Sequence, residues 1–440
     1  MIPRCVDFAL SIVMPARVVA REVARIAVHT VGRIVTRVIV SGLCSGSGNG
    51  IARRRIVATA SCVFLTLLVT QPVAATDKVV FSVEEQARIR LHGPWPVPVP
   101  PDPGNEYSGL AWAEEAGRLL FSDSGLSGNN AISCASCHQV KSGFSDRRAV
   151  AIGSKVHFRN TQTLLNAGLQ KWFGWDGGTD SLWAATLRPL LSNIEMDNSV
   201  QGIATYLRQA PQYKTYLQRR VNDERVALSA LSDDQLAVKA AKFVAAYVRT
   251  IASGVTPFDK FRDALAQGET IDESVFSSSA RRGLKLFAGS ANCHVCHYGA
   301  NFSNGEFHDI GRPFFIGRGQ IDTGRYSGIQ RLRSDPYRLS GIFNGTDNRR
   351  EIRKTQSVKL SRADWGRWRT PTLRNLVDTS PYMHDGSIAT LRGVIDAYAD
   401  IDTDRLHSEG ESILKPLDLS ERQRDDLVAF LRALSQGDQQ

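Results

Sequence analysis

Two short stretches hold residue types that can do chemistry: Cys134-Ala135-Ser136-Cys137-His138 and Cys293-His294-Val295-Cys296-His297. Thiols three residues apart can each bond a vinyl-derived carbon of one porphyrin while the adjacent His reaches the iron axially, so each stretch reads as a c-type haem attachment site. A single copy is also compatible with a zinc site or a redox dithiol. The chain has seven cysteines, and the other three, Cys5, Cys44 and Cys62, fall in an N-terminal leader. Two complete copies, with no other cysteine after the leader, point to two covalent haems.

Such sites need short helices to bring apolar side chains beside the porphyrin. Gly117-Arg118-Leu119-Leu120-Phe121 precedes the first motif and Gly283-Leu284-Lys285-Leu286-Phe287 the second, a weak internal repeat that predicts a helix at each. Ser232-Asp233-Asp234-Gln235 has the form of a capping box, opening a helix whose buried face holds Leu236, Phe243, Val244, Tyr247 and Val248. Ser420 to Gln423 does the same for Leu427, Val428, Leu431 and Leu434. His92 to Asn105 contains six prolines and reads as extended chain, while Ile251 to Ser277, rich in Gly, Ser and Asp, reads as an interdomain segment. The prediction is a mainly α protein. It has two cytochrome c-like haem domains, 106–255 and 256–440, behind an extended Pro-rich arm at 76–105.

With 440 residues, 42% of them hydrophobic and 22% charged, the composition is that of a globular protein and excludes wholesale disorder or a multi-span membrane fold. The formal charge of +10 is local. Residues 1–75 carry nine Arg against Asp7 and Glu22, which leaves 45 basic and 42 acidic side chains in the rest. That balance is too small for a phosphate-tracking surface, so nucleic acid is excluded as a partner. Arg53 to Arg55, the apolar run 56–69 and Val73-Ala74-Ala75 follow the order of a secretory signal peptide. Cleavage after Ala75 and export to the periplasm are expected. The apolar run is shorter than the ~20 residues of a spanning helix, so no stable membrane span is expected after cleavage. Residues 1–50 lie upstream of this signal and read either as a basic amphipathic stretch or as the product of a start assigned too early.

Further ordered motifs follow the first haem site: Arg159-Asn160, Thr163-Leu164-Leu165-Asn166, Trp175-Asp176-Gly177, Asn193-Ile194-Glu195-Met196, Phe307-His308-Asp309-Ile310-Gly311, Pro371-Thr372-Leu373-Arg374-Asn375 and Pro381-Tyr382-Met383-His384-Asp385-Gly386. In this series the chain resembles the bacterial di-haem cytochrome c peroxidase family, and within it the MauG- and MbnH-like branch, over roughly 106–435. The resemblance implies that the first haem meets hydrogen peroxide and the second stores and relays electrons. It makes Glu195, twenty residues after Trp175, a distal acid that moves a proton between the peroxide oxygens; by residue type alone a solvated surface Glu is the plain alternative. Pro189 matches a distal proline, whereas Ala185 stands where relatives commonly have Gln. Trp175 matches an indole between the haems that serves as a hopping station for an electron hole. Ile152 stands where donor-dependent relatives place a His on the first iron, so that haem is expected to be open, with His157 as a rival ligand.

Tyr398 stands fourteen residues after His384, where those relatives have Met. The resemblance makes it the sixth ligand of the second haem, and an anionic phenolate stabilises higher iron oxidation states where a thioether does not. A buried structural tyrosine is the alternative. Asn160, Thr379 and Pro381 match a calcium site held by hard oxygen ligands between the domains. His308, Arg374 and His384 fall around the second haem, with Arg374 a candidate partner of a haem propionate, and Trp365 and Trp368 could extend an electron path outward.

The function implied is that of a periplasmic enzyme that uses hydrogen peroxide to reach a high-valent state shared by two haems and to oxidise an aromatic residue, Trp, of a partner protein. One rival is a di-haem peroxidase that reduces peroxide with electrons from a small cytochrome or cupredoxin. Another is a non-catalytic di-haem electron carrier, which Ile152 disfavours.

Overall fold

The structure is a computed structural model that describes residues 79–436 apart from 103, 313–314, 318, 345–348 and 403–413. The expected signal peptide and its cleavage after Ala75 lie outside the described residues. Thirteen helices are defined among them. The first eight are α1 (Val83–Arg90), α2 (Ala111–Phe121), α3 (Cys134–Cys137), α4 (Leu182–Leu191), α5 (Val200–Gln209), α6 (Pro211–Gln218), α7 (Asp233–Val248) and α8 (Pro257–Gln267). The remaining five are α9 (Ser278–Ala288), α10 (Arg325–Ser334), α11 (Arg349–Ser357), α12 (Leu391–Ala399) and α13 (Glu421–Arg432). Four strands of two or three residues form two antiparallel ribbons, β1 (Phe307–Asp309) with β4 (Arg367–Arg369) and β2 (Phe315–Gly317) with β3 (Gln320–Ile321). No helix among the described residues is long and apolar enough to cross a membrane.

Both capping boxes form. Ser232 accepts from the Gln235 amide at the start of α7, and Ser420 from the Gln423 amide at the start of α13, each cap contributing about 1 kcal/mol. Leu236, Phe243, Val244 and Val248 are buried as predicted and Tyr247 is half-buried. Fully burying side chains of this size stabilises by about 1.5–3 kcal/mol each, which is what makes α7 the spine of the first core. That core also takes Leu120 and Phe121 from α2 and Leu187 and Leu190 from α4. A second core gathers Leu284 and Phe287 of α9, Phe302, and Leu427, Phe430 and Leu431 of α13.

The repeat seen in the sequence is also a packing repeat. A Cβ on Gly117 would lie 1.9 Å from the Phe243 carbonyl oxygen, and one on Gly283 would lie 1.9 Å from that of Asp426. In each half the glycine helix thus crosses the last helix at backbone contact distance, and only glycine permits that approach.

Two expectations need correction. The 76–105 segment is not extended throughout, because Ser82 and Glu85 form a capping box that opens α1. Ile89 of α1 and the preceding Phe81 are buried in the second core. The 251–277 segment is not an open linker either. Thr256 and Asp259 box the start of α8, with Pro257 in its first turn, and Phe258 and Phe261 pack into the same core. In both cases caps and a buried apolar face override a polar, turn-rich composition.

Candidate functional site

At the first motif, α3 brings Cys134 and Cys137 onto one turn, and the His138 ring faces the Phe144 carbonyl oxygen through Nδ1 at 3.0 Å. At the second, His297 Nδ1 faces the Phe302 carbonyl at 3.0 Å. Phe144 and Phe302 hold φ of 56° and 51°, a region that bulky residues enter only when their surroundings force it. A proton on Nδ1, bonded to a carbonyl, leaves the Nε2 lone pair of both histidines available to a metal. Burial keeps both rings neutral, lowering His138 and bringing His297 down to about 4. Burial also pushes the Cys134 and Cys293 thiols up to about 12 and Cys137 up to about 11. None of these is the activated thiolate that a redox dithiol requires. Among the described residues no three His, Cys, Asp or Glu side chains cluster as a zinc site would require.

Over His138 opens a cavity of about 1340 Å³ including its solvent mouth, lined by Trp175, Ala185, Pro189, Glu195 and His157. Glu195 has one carboxylate oxygen, Oε2, buried with no hydrogen-bond partner, while Oε1 lies 3.6 Å from Arg188. Burial, the largest influence, would raise this carboxyl, but its polar neighbours, led by the Arg188 guanidinium, outweigh it and hold the group below its ordinary value. An ionised, partly desolvated carboxylate aimed into a cavity is a proton acceptor waiting for a ligand. Cys thiols, a lone-pair imidazole and a largely apolar cavity with one orphaned carboxylate oxygen fit a covalent haem with an open face. Ile152 is exposed, and it is Ala151, Gly153 and His157 from that loop that line the cavity.

The second site contains Tyr398. Its hydroxyl is pushed well above the usual phenol range, first by burial and then by the Cys293 and Cys296 sulfurs, so these three residues share one environment. The chain explains why. From Asn166 and Asn375 onward the two halves repeat at a fixed separation of 209 residues (166 to 375). Both asparagines are left-handed, at φ 60° and 61°. Phe173 bridges Thr179 as Tyr382 bridges Ile388, and Ser181 caps α4 as Thr390 caps α12. The same separation carries Trp175 to His384 and Pro189 to Tyr398. Tyr398 therefore occupies in the second half the helical position that Pro189 occupies over the first cavity. The sequence showed only the glycine helices of this repeat, because the separation is 159 residues at the thiol pairs (134 to 293) and 209 from Asn166 on, so 50 extra residues between the second thiol pair and Asn375 break the register.

Between the halves, the Trp175 indole donates to the Asn160 carbonyl at 2.9 Å, and the Asn160 amide donates to the His384 carbonyl at 2.8 Å. One residue, Asn160, thus joins the two equivalent turn residues through its backbone N–H and C=O. His384 stacks on Trp368 with ring centroids 3.7 Å apart, and Trp368 is buried. Trp365 packs instead on Tyr326. Arg159, which lines the first cavity, is clamped by Asp322 at 2.7 Å and by Asp176.

Of the three residues matched to calcium, Asn160 donates its side chain to the Arg148 and Ala149 carbonyls, Thr379 donates to the Asn375 carbonyl, and Pro381 follows a cis peptide bond. Arg374 is not a propionate partner. Its guanidinium is fully buried and bidentate on Asp259, at 2.9 Å for both bonds, with a third bond to the Ala300 carbonyl. His308 Nε2 lies 3.2 Å from the Asn304 side-chain amide.

Glycine-crossed helix pairs with a paired-thiol turn and an imidazole held through Nδ1 in each half define a c-type cytochrome with two haem sites. A family profile described as di-haem cytochrome c peroxidase matches residues 113–267. The cytochrome-c peroxidase IdrP2 of Denitromonas iodatirespirans is 33% identical over 332 residues, 74% of this chain and 83% of its own length. The methylamine utilization protein MauG of Methylorubrum extorquens is 33% identical over 320 residues, 72% and 76% of the two chains. Among solved structures, a MauG-like protein associated with microbial copper homeostasis aligns with TM-score 0.57 and 25% identity, over 78% of this chain and 96% of its own. The chain belongs to the di-haem cytochrome c peroxidase family. It is a peroxidase-type oxidoreductase with haem c as its cofactor.

Proposed function

We propose that the protein is a periplasmic enzyme of the MauG-like kind, which uses hydrogen peroxide to oxidise an aromatic side chain, Trp, of a partner protein. Tyr398 carries this reading, as a phenol in place of a thioether at the second thiol pair. When bound, the haems supply the oxidising capacity released by peroxide cleavage, and the chain governs protons and charge around them. With a haem in the cavity, Glu195 would accept a proton from one oxygen of the bound peroxide and return it to the other, which would leave as water. Pro189 and Ala185 wall the cavity without offering a competing side-chain donor. Trp175, tied to Asn160 and through it to His384, bridges the two halves and carries a hole between them. In its pocket the Tyr398 phenol keeps its proton unless a cation sits on its oxygen, so ligation and ionisation go together.

The same reading makes 106–255 and 256–440 two cytochrome c-like domains joined along the Asn160 seam. Calcium held there by Asn160, Thr379 and Pro381 would fix that seam. The leader exports the chain, consistent with haem attachment outside the cytoplasm.

The relatives named cytochrome-c peroxidase support a second reading, peroxide reduction with electrons from a small cytochrome or cupredoxin. Stoichiometric peroxide added to the haem-loaded enzyme without donor separates the two. Mössbauer spectra in which both irons change together, with slow decay, support the proposal. A change at one iron, with rapid steady turnover once reduced small cytochrome and excess peroxide are then supplied, supports the second reading.

A further inference from the structure

The loop from Ala151 to Arg159 is a small hairpin, closed by the His157 amide on the Ala151 carbonyl at 2.9 Å and the Ala151 amide on the Arg159 carbonyl at 3.0 Å. It is bound to the backbone that presents the distal acid. Ser154 donates to the Glu195 carbonyl at 2.6 Å and Lys155 to the Ile194 carbonyl at 3.1 Å. His157 is thereby fixed in the wall of the first cavity, within electrostatic reach of Glu195.

Its Nδ1 plays the opposite part from that of the two haem-motif histidines. The Arg159 backbone N–H donates to His157 Nδ1 at 2.8 Å. A ring nitrogen that accepts a hydrogen bond carries no proton, so the neutral imidazole carries its proton on Nε2. His138 and His297 face carbonyls through Nδ1 and keep Nε2 as a lone pair. His157 has no such lone pair to give a metal. Burial, the largest influence, lowers its basicity and keeps the ring neutral, against the opposing pull of Glu195.

We propose that His157 is a distal hydrogen-bond donor of the first haem cavity, holding a peroxide oxygen through Nε2–H while Glu195 moves the proton, and that it is not an axial ligand. This rests on the reading above that the cavity holds the haem that meets peroxide.

The test compares haem-loaded wild type with His157→Leu and His157→Gln, using cyanide and carbon monoxide as probes. The ferric spin state by EPR should be the same in all three. The cyanide Kd should rise roughly three- to tenfold in His157→Leu, the value of one hydrogen bond, and less in His157→Gln. The C–O stretch of the ferrous carbonyl complex should move up in His157→Leu. A low-spin bis-histidine signal that vanishes in His157→Leu overturns the proposal, and so does an unchanged cyanide affinity. Wild type that binds cyanide at the first haem but does not react with peroxide refutes the functional reading instead.

Discussion

Glu195 and Trp175 differ in what their neighbours ask of them. Glu195 is ionised and half-desolvated, so Glu195→Gln should retain both haems and the fold while slowing the reaction with peroxide by about 10²–10⁴-fold in stopped-flow. Trp175→Phe loses the bond to the Asn160 carbonyl, worth about 1 kcal/mol. It should leave haem content intact and slow interhaem charge sharing, read as the rise of near-infrared absorption after peroxide; an unchanged rate removes the relay role. Gly153 has a different sensitivity, since a Cβ there would lie 2.5 Å from the Glu195 carbonyl oxygen and 2.6 Å from its Cα. Gly153→Ala must therefore move Glu195 or the hairpin. The expected result is a loss of about 1–3 kcal/mol in chemical unfolding together with a slower peroxide reaction.

At the scale of elements, the glycine crossings of α2 on α7 and α9 on α13 hold each haem motif against its core. Gly117→Ala and Gly283→Ala each place a methyl inside a backbone carbonyl's contact shell, and backbone cannot swing aside as a side chain can. Each variant should lose more than about 1–3 kcal/mol, and haem loss should follow the half that is altered. Pyridine haemochrome quantitation with separate potentials for the two haems checks that assignment. Equal loss from both haems would show that the two halves do not fold around their own crossings. The caps of α7 and α13 were legible because a capping box is a local contract among four residues. The equivalence of Pro189 and Tyr398 was not, because it depends on matching turns across an insertion.

At the scale of the whole molecule, one buried cluster ties the N-terminal segment to the second core. Asp259 accepts from Arg374 at 2.9 Å and from Arg262 at 2.8 Å, Arg262 reaches the His92 carbonyl at 2.9 Å, and the Arg374 guanidinium lies 3.6 Å from the Trp95 ring centroid. Removing Arg374 as Arg374→Met leaves Asp259 buried and less compensated, and should cost about 3–5 kcal/mol in urea unfolding. Burial alone would raise the Asp259 carboxyl, but Arg374 and Thr256 overcome it and lower the folded value. The stabilisation is therefore complete above the unfolded value of about 3.9 and is lost as pH falls through the lower folded one. Stability of Asp259→Asn should depend less on pH across that acid range than that of wild type.

What the sequence determined by itself was chemistry that is covalent or local: two thiol pairs with their histidines, the capping boxes, and the mainly helical character that follows from them. Tertiary structure decided which way each imidazole turned, that Arg374 serves Asp259 and not a haem, and that helices form where Pro, Gly and Ser suggested arm and linker. It also brought Tyr398 to the second thiol pair. The physical reason is range. Attachment spacing and caps are settled within five residues of chain, whereas a ring's tautomer, a buried ion pair and a distal position are set by backbone groups that only folding brings within hydrogen-bond distance.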